Sequence, residues 1–161
     1  MTISRQDWMQ TWVSLIHAAT HLRAGLEKRF REELSFGLSE QDLLKQLYVN
    51  HGELTLTELS RRIYFSKAGL TKMLDRLEAS GFVKREPVPQ DRRAVRARLT
   101  AKGEAAFAKS RSILGDYVQS ALRDRLNDTE LLALKDSLET LLTAHGVWDG
   151  QQRHLRGGSD D

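Results

Sequence analysis

Residues 66–100 leave this chain few ways to fold. A helical pattern there ends at Gly81 and gives way to a short β segment, Val83 to Glu86. A turn region framed by Pro87 and Pro89 follows, then a strand in which Val95, Ala97 and Leu99 alternate with Arg96 and Arg98. A period of two cannot lay one apolar face along a helix, and prolines break helix interiors, so the segment predicts a β-hairpin hung on the end of a helix. Ser66 is placed to N-cap that helix, which spans Lys67 to Ser80. Leu70, Met73, Leu74 and Leu77 form its inner face, with Ser66, Lys67, Ala68, Thr71, Lys72 and Asp75 outside. Gly81 falls at the C′ position, where left-handed backbone is favoured, and Phe82 folds back onto the helix.

Upstream, Thr55-Leu56-Thr57-Glu58 is a capping box, stapled by Leu54 and Leu59, that opens a helix over about 56–63. Ser39-Glu40-Gln41-Asp42 reads as the cap of a preceding helix carrying Leu43, Leu44 and Leu47, with Asp42 at its third position and Asn50-His51-Gly52 at its end. The segment between them is expected to be a connection. Two helices joined by a turn at Tyr64-Phe65, the second with a basic, hydroxyl-bearing outer face, have the spacing of a unit that inserts its second helix into the major groove of DNA. Thr71 and Lys72 are suited to base edges and phosphates.

Charge supports that partner. From Arg61 to Arg98 eleven Lys/Arg face four Asp/Glu, a local balance of +7 in a chain whose net charge is only +3. A basic block in an otherwise mildly acidic chain fits a polyphosphate. Arg92 and Arg93 are expected at the hairpin tip, sized for a narrow minor groove, and Arg96 on the outward face of the second strand. Asp91 would be repelled by phosphate, so it is expected to pair with Arg93 or cap the turn.

The remaining segments are long amphipathic helices. Trp8, Trp12, Leu15, Ile16, Ala19, Leu22, Leu26 and Phe30 recur at steps of three and four over about seven turns. After Thr100 a helix is expected to run to about Leu126, and Asn127-Asp128-Thr129-Glu130 opens a last one ending at Gly146. The first helix is too long for its own small domain to cover, and a second copy of the chain is the expected partner. The fold class is therefore mainly α with a small β-wing. A winged helix-turn-helix lobe spans about 37–100, dimerisation helices span about 5–34 and 101–145, and the tail over 149–161 is expected to be disordered.

Several classes are excluded or disfavoured. The chain has no cysteine, so thiol catalysis, disulfides and thiolate zinc sites are out. No run nears the roughly eighteen apolar residues of a membrane span, and the N-terminus lacks a signal-peptide pattern, so a cytoplasmic location is expected. There is no Gly-rich phosphate loop, no Gly-x-Ser-x-Gly and no spaced carboxylate pair outside caps and surfaces, so an enzyme is not expected and no cofactor is required.

The sequence resembles the MarR (multiple antibiotic resistance regulator) family of winged-helix transcription factors. The likeness rests on Glu58-Leu59-Ser60-Arg61-Arg62, on Ser66 through Glu78, on Gly81-Phe82-Val83-Lys84-Arg85, and above all on the wing pattern of Asp91, Arg93 and Ala94 followed by Leu99-Thr100. It runs from about Trp8 to Ala144. The resemblance implies a homodimeric repressor on a palindromic operator, released by a small ligand. It implies Ser66, Lys67, Thr71 and Lys72 in the major groove, Arg93 at the minor groove, and Arg76 supporting phosphate contacts. It also implies a ligand cleft near Trp12, His17, Asp42, Tyr48 and Lys72, with a phenolic or other small organic anion as effector. The residues themselves offer plainer readings: Trp12 on an apolar stripe as core or dimer seam, and Asp42 as a capping acid.

Two other functions compete. His17 and His21 are spaced i, i+4, as two imidazoles on one metal would be, which admits a zinc-responsive regulator if Asp42, His51 or Glu53 supplied further ligands. A winged-helix protein-interaction adaptor is the other, but an adaptor has no evident use for four arginines within residues 92–98.

Overall fold

The computed structural model describes residues 3–63, 66–89 and 91–145, without the side chains of Lys67, Arg92 and Arg93. The expected turn at Tyr64-Phe65, the end at Gly146 and the tail over 149–161 lie outside the described residues. The elements are α1 (Arg5–Leu34), α2 (Leu38–Val49), β1 (Glu53–Thr55), α3 (Leu56–Arg62), α4 (Lys67–Ala79), β2 (Val83–Val88), β3 (Asp91–Leu99), α5 (Ala101–Val118), a π-helical turn (Gln119–Arg123) and α6 (Asp128–Ala144). This is a mostly helical chain with a small antiparallel sheet, in which residues up to Tyr117 form one compact unit and those from Val118 a second.

In the first unit α2, α3, α4 and the sheet close around Leu43, Leu44, Leu47, Leu59, Leu74 and Leu77, which are essentially inaccessible. The capping predicted from sequence is present at α3, where Thr55 Oγ1 accepts from Glu58 N–H and Glu58 Oε2 accepts from Thr55 N–H at 2.8 Å. At α4, Ser66 Oγ accepts from Gly69 N–H at 3.1 Å. Its far end is a Schellman closure: Phe82 N–H donates to Leu77 O and Gly81 N–H to Glu78 O, both at 2.9 Å, with Gly81 at φ +73°.

Three expectations are corrected. Helix α2 starts at Leu38, with Gly37 as its N-cap residue, so Glu40 and not Asp42 takes the third position. Its carboxylate accepts from Gly37 N–H at 3.2 Å, while Leu38 N–H is satisfied at 2.7 Å by Glu27, an acid of α1 that local sequence could not nominate. The expected connection before α3 contains a strand: β1 pairs with β3 through Leu54 and Ala97, so the two-stranded hairpin is a three-stranded sheet of order β1-β3-β2. The hairpin is also longer than the prolines suggested. Pro87 stands in β2 opposite Val95, an edge position where a missing N–H costs no ladder bond, and a register shift follows between Pro87 and Val88.

Only the C-terminal part of α1 is covered in this chain, through Phe30 and Leu34. Trp8, Met9, Trp12, Val13 and Ile16 remain 45–60 % exposed. Gly25 permits a close crossing with α5, where Tyr117 donates its hydroxyl to Leu22 O at 2.9 Å. In the second unit the helix expected to continue to Leu126 changes to π geometry, with Asp124 N–H reaching Gln119 O at 3.0 Å. The Asn127–Glu130 capping box then opens α6.

Candidate nucleic-acid interface

The surface singled out by sequence begins at the N-terminus of α4. Leu70, Met73, Leu74 and Leu77 are buried, which turns Ser66, Ala68, Thr71, Lys72, Asp75 and Arg76 to solvent. Ser66 uses its oxygen as a cap acceptor, leaving its hydroxyl proton free to donate. No acidic residue occupies the first turn, so the positive end of the helix dipole stays uncompensated there. Lys72 and, on α3, Arg61 and Arg62 have no carboxylate within ion-pair distance among the described residues, and all three are exposed.

Among the described side chains of the block, Arg76, Lys84, Arg85, Arg96 and Arg98 are engaged. Arg85 lies on the helix-facing side of the sheet, opposite Ala97, and grips Asp75 at 2.8 Å and Glu78 at 2.5 Å. Its backbone N–H also donates to Glu78 at 2.9 Å. The Arg85 side chain and N–H hold the Glu78 carboxyl below the usual glutamate range, and Glu78 in turn raises Arg85. This clamp ties β2 to α4.

Arg96 is ion-paired on the outward face of the second strand, where alternation placed it. The outer face of the sheet carries Lys84, Glu86, Arg96, Arg98 and Glu53 in register, and Arg96 sits between Glu53 at 3.0 Å and Glu86 at 3.4 Å with its Nε buried and unpartnered. Lys84 closes on Glu86 at 2.5 Å and Arg98 on Glu53 at 3.8 Å. Arg96 thus ties three strands together across the outer face of the sheet. The spatial partners Glu40 and Glu53, both outside residues 61–98, also reduce the local charge surplus read along the sequence.

At the far end of the hairpin the Val88–Asp91 pair brackets the turn, and Arg92 and Arg93 follow in β3 instead of the turn itself. Their side chains, and with them the expected Asp91–Arg93 pairing, lie outside what is described. Arg76 is exposed but tethered: Glu40 Oε1 accepts from its Nη2 at 2.6 Å and its Nε at 3.2 Å. Burial pushes the Glu40 carboxyl up, and the bonds from Arg76 and from the N–H groups of Glu40 and Gly37 outweigh it, keeping it below the ordinary glutamate value.

The ligand candidates are less assembled. Tyr48 is half exposed with its ring 4.8 Å from that of Phe107, and Asp42 stands in the electrostatic field of Lys45 and Arg23. Crowding around the Asp42 carboxyl raises its pKa against the pull of those two cations. Among the described residues no hydrogen bond, ion pair or ring contact joins Trp12, His17 or Lys72 to either. His17 and His21 meet edge to face at 6.5 Å, and the described residues contain no cluster of three His, Cys, Asp or Glu able to hold a metal.

Comparison with known proteins turns on this same arrangement. The sequence model of the MarR family matches residues 38–95, from α2 into the wing. The fold extends the likeness to nearly the whole chain: a MarR family transcriptional regulator from Streptomyces coelicolor, solved in complex with DNA, superposes with a TM-score of 0.75 at 25 % identity, covering 95 % of each chain. The segment from α2 into the wing is similar to the MarR family, and the fold is that of MarR family regulators. A mutant MarR of Escherichia coli complexed with operator DNA superposes with a TM-score of 0.68 at 25 % identity over 87 % of this chain and 99 % of that one. In sequence, the chain is 33 % identical to the multiple antibiotic resistance protein MarR of Escherichia coli K12 over 89 residues, 55 % of this chain and 62 % of that protein. The match to a curated Bacillus subtilis regulator, YfiV, is 41 % over 36 % of each chain. The aligned segments therefore cover less than two thirds of these relatives' length. No helix among the described residues is long and apolar enough to cross a membrane.

Proposed function

We propose that this MarR-type chain is a sequence-specific DNA-binding transcriptional regulator, a homodimeric repressor that a small ligand releases from a palindromic operator. The observation that carries the reading is the N-terminal half of α4, presented to solvent with Ser66, Thr71 and Lys72 outward, no acid in its first turn, and a wing locked to it through Arg85. A helix so exposed fits the major groove, and a hairpin rigidly joined to it reaches the flanking backbone or minor groove. Two proteins it superposes on were solved with DNA. The exposed Trp8, Trp12 and Ile16 on α1 favour a second copy as partner, which supplies two half-sites about one DNA turn apart. A phenolic or anionic effector would find the Tyr48–Phe107 ring pair and the cations Arg23 and Lys45 near Asp42.

The test is a fluorescence-anisotropy titration against duplex DNA from the chain's own upstream region, with a scrambled duplex as control. The upstream duplex is expected to bind in the nanomolar range and more tightly than the control, with affinity falling about 0.9 log units per log unit of salt for each phosphate neutralised. Equal, weak binding to both duplexes with a flat salt response would reject the operator reading.

A further inference from the structure

Arg76 follows Lys72 by one helical turn, so the two cations neighbour each other along one side of α4. They differ in freedom. Glu40 holds one edge of the Arg76 guanidinium through two hydrogen bonds to a single oxygen, Oε1, while its other oxygen receives Gly37 N–H. The Glu40 side chain is 7 % exposed and that of Arg76 61 %. A buried carboxylate therefore grips the inner edge and leaves the remaining N–H donors pointing to solvent.

We propose that Glu40 is a positioning residue for DNA binding: it aims the free edge of Arg76 at a backbone phosphate beside the groove that α4 enters. This inference rests on the operator-binding reading above. A long arginine normally surrenders rotamer freedom when it grips a phosphate, and a carboxylate that has already fixed its direction removes much of that cost from the binding step. The anchor also reaches beyond the helix-turn-helix. Glu40 caps the start of α2, and the next N–H, that of Leu38, is held by Glu27 of α1, which is itself bonded to Arg31. Gly37 makes room for this, since a side chain there would overlap the Glu27 carboxylate. The direction of Arg76 is thus tied to the α1–α2 corner.

The sign of one substitution separates positioning from general electrostatics. Glu40→Gln removes a negative charge near a polyanion, so charge alone predicts tighter DNA binding, whereas loss of the anchor predicts weaker binding. In the anisotropy assay Glu40→Gln is expected to weaken binding about tenfold. In an Arg76→Ala background the same substitution is expected to change nothing or to strengthen binding slightly. Arg76→Lys keeps the charge but loses the fork, and is expected to bind nearly as weakly as Arg76→Ala. That variant leaves the buried carboxylate untouched, so it remains informative if Glu40→Gln lowers stability. The proposal is overturned if Glu40→Gln binds as tightly as the parent protein, if it weakens binding equally with and without Arg76, or if Arg76→Lys binds like the parent. Failure of the parent protein to prefer its upstream duplex would sink the operator reading and this inference with it, a result told apart by that control alone.

Discussion

Gly103→Ala is expected to lower the melting temperature by about 10 °C, whereas Gly115→Ala, further along the same helix, should leave it unchanged or raise it by about 2 °C. A Cβ at position 103 would overlap the carbonyl oxygen of Phe82 and press on Leu99 Cδ2. That carbonyl cannot rotate away, because it accepts from Thr100 N–H at 3.1 Å and from the Thr100 hydroxyl at 3.2 Å. That hydroxyl shares its one proton with Gly81 O, the nearer acceptor at 2.7 Å, and its oxygen accepts from Gly103 N–H at 3.0 Å. The C-terminus of α4, the end of the wing and the start of α5 are therefore pinned at one point, and relief requires one of them to shift. Overpacking against backbone costs about 3 kcal/mol, which corresponds to roughly 6–12 °C in a protein of this size. Gly115 has open space where its Cβ would go, so there the gain in helix propensity should dominate. Thermal melts of both variants followed by circular dichroism decide the matter, and equal melting temperatures would show that the Thr100 junction is not tightly packed.

Arg93→Ala is expected to weaken binding to the upstream duplex by about ten- to a hundredfold while leaving the melting temperature within about 1 °C of the parent. The reason is how the other wing cations are spent. Arg85 is committed to α4, and Arg96 and Arg98 to Glu53 and Glu86, so the prediction falls on Arg93, three residues short of Arg96 along β3. Arg96→Ala should behave in the opposite manner: it abandons two carboxylates on the sheet, so stability falls first and DNA affinity only as a consequence. Anisotropy and melting measured side by side on the two variants separate the roles. Unchanged affinity in Arg93→Ala would remove the wing tip from the mechanism.

The elements most readable from sequence were those whose determinants lie within a few residues of one another. Thr55 with Glu58, Ser66 with Gly69, Gly81 with Glu78 and Phe82 with Leu77 are contacts across three to five positions, and each cap stands where its residue types placed it. The inner face of α4 followed from helical spacing, and the outward side of Thr71 and Lys72 followed from the inner face. Strand β1 escaped notice because three residues carry too little pattern to distinguish a strand from a connection, and its reality depends on Arg96, Ala97 and Arg98 arriving beside it. Asp42 was misplaced for a related reason. Gly37 has no side chain to announce a cap, and the acid that completes this helix start comes from α1.

Charge shows the division most clearly. Eleven cations could be counted from Arg61 to Arg98, and the presence of a basic, helix-plus-hairpin unit was determined by sequence alone. Which of those cations remain available was decided only by tertiary structure. The bonds from Arg76 to Glu40 and from Arg96 to Glu53 span 36 and 43 residues, and no periodicity links such positions. Periodicity and capping are short-range consequences of backbone geometry and can be read along a chain, whereas ion pairing depends on which surfaces the fold brings within a few ångströms. The sequence determined that this chain builds a MarR-type helix and wing, and the folded arrangement decided which of its arginines brace that unit and which face outward from it.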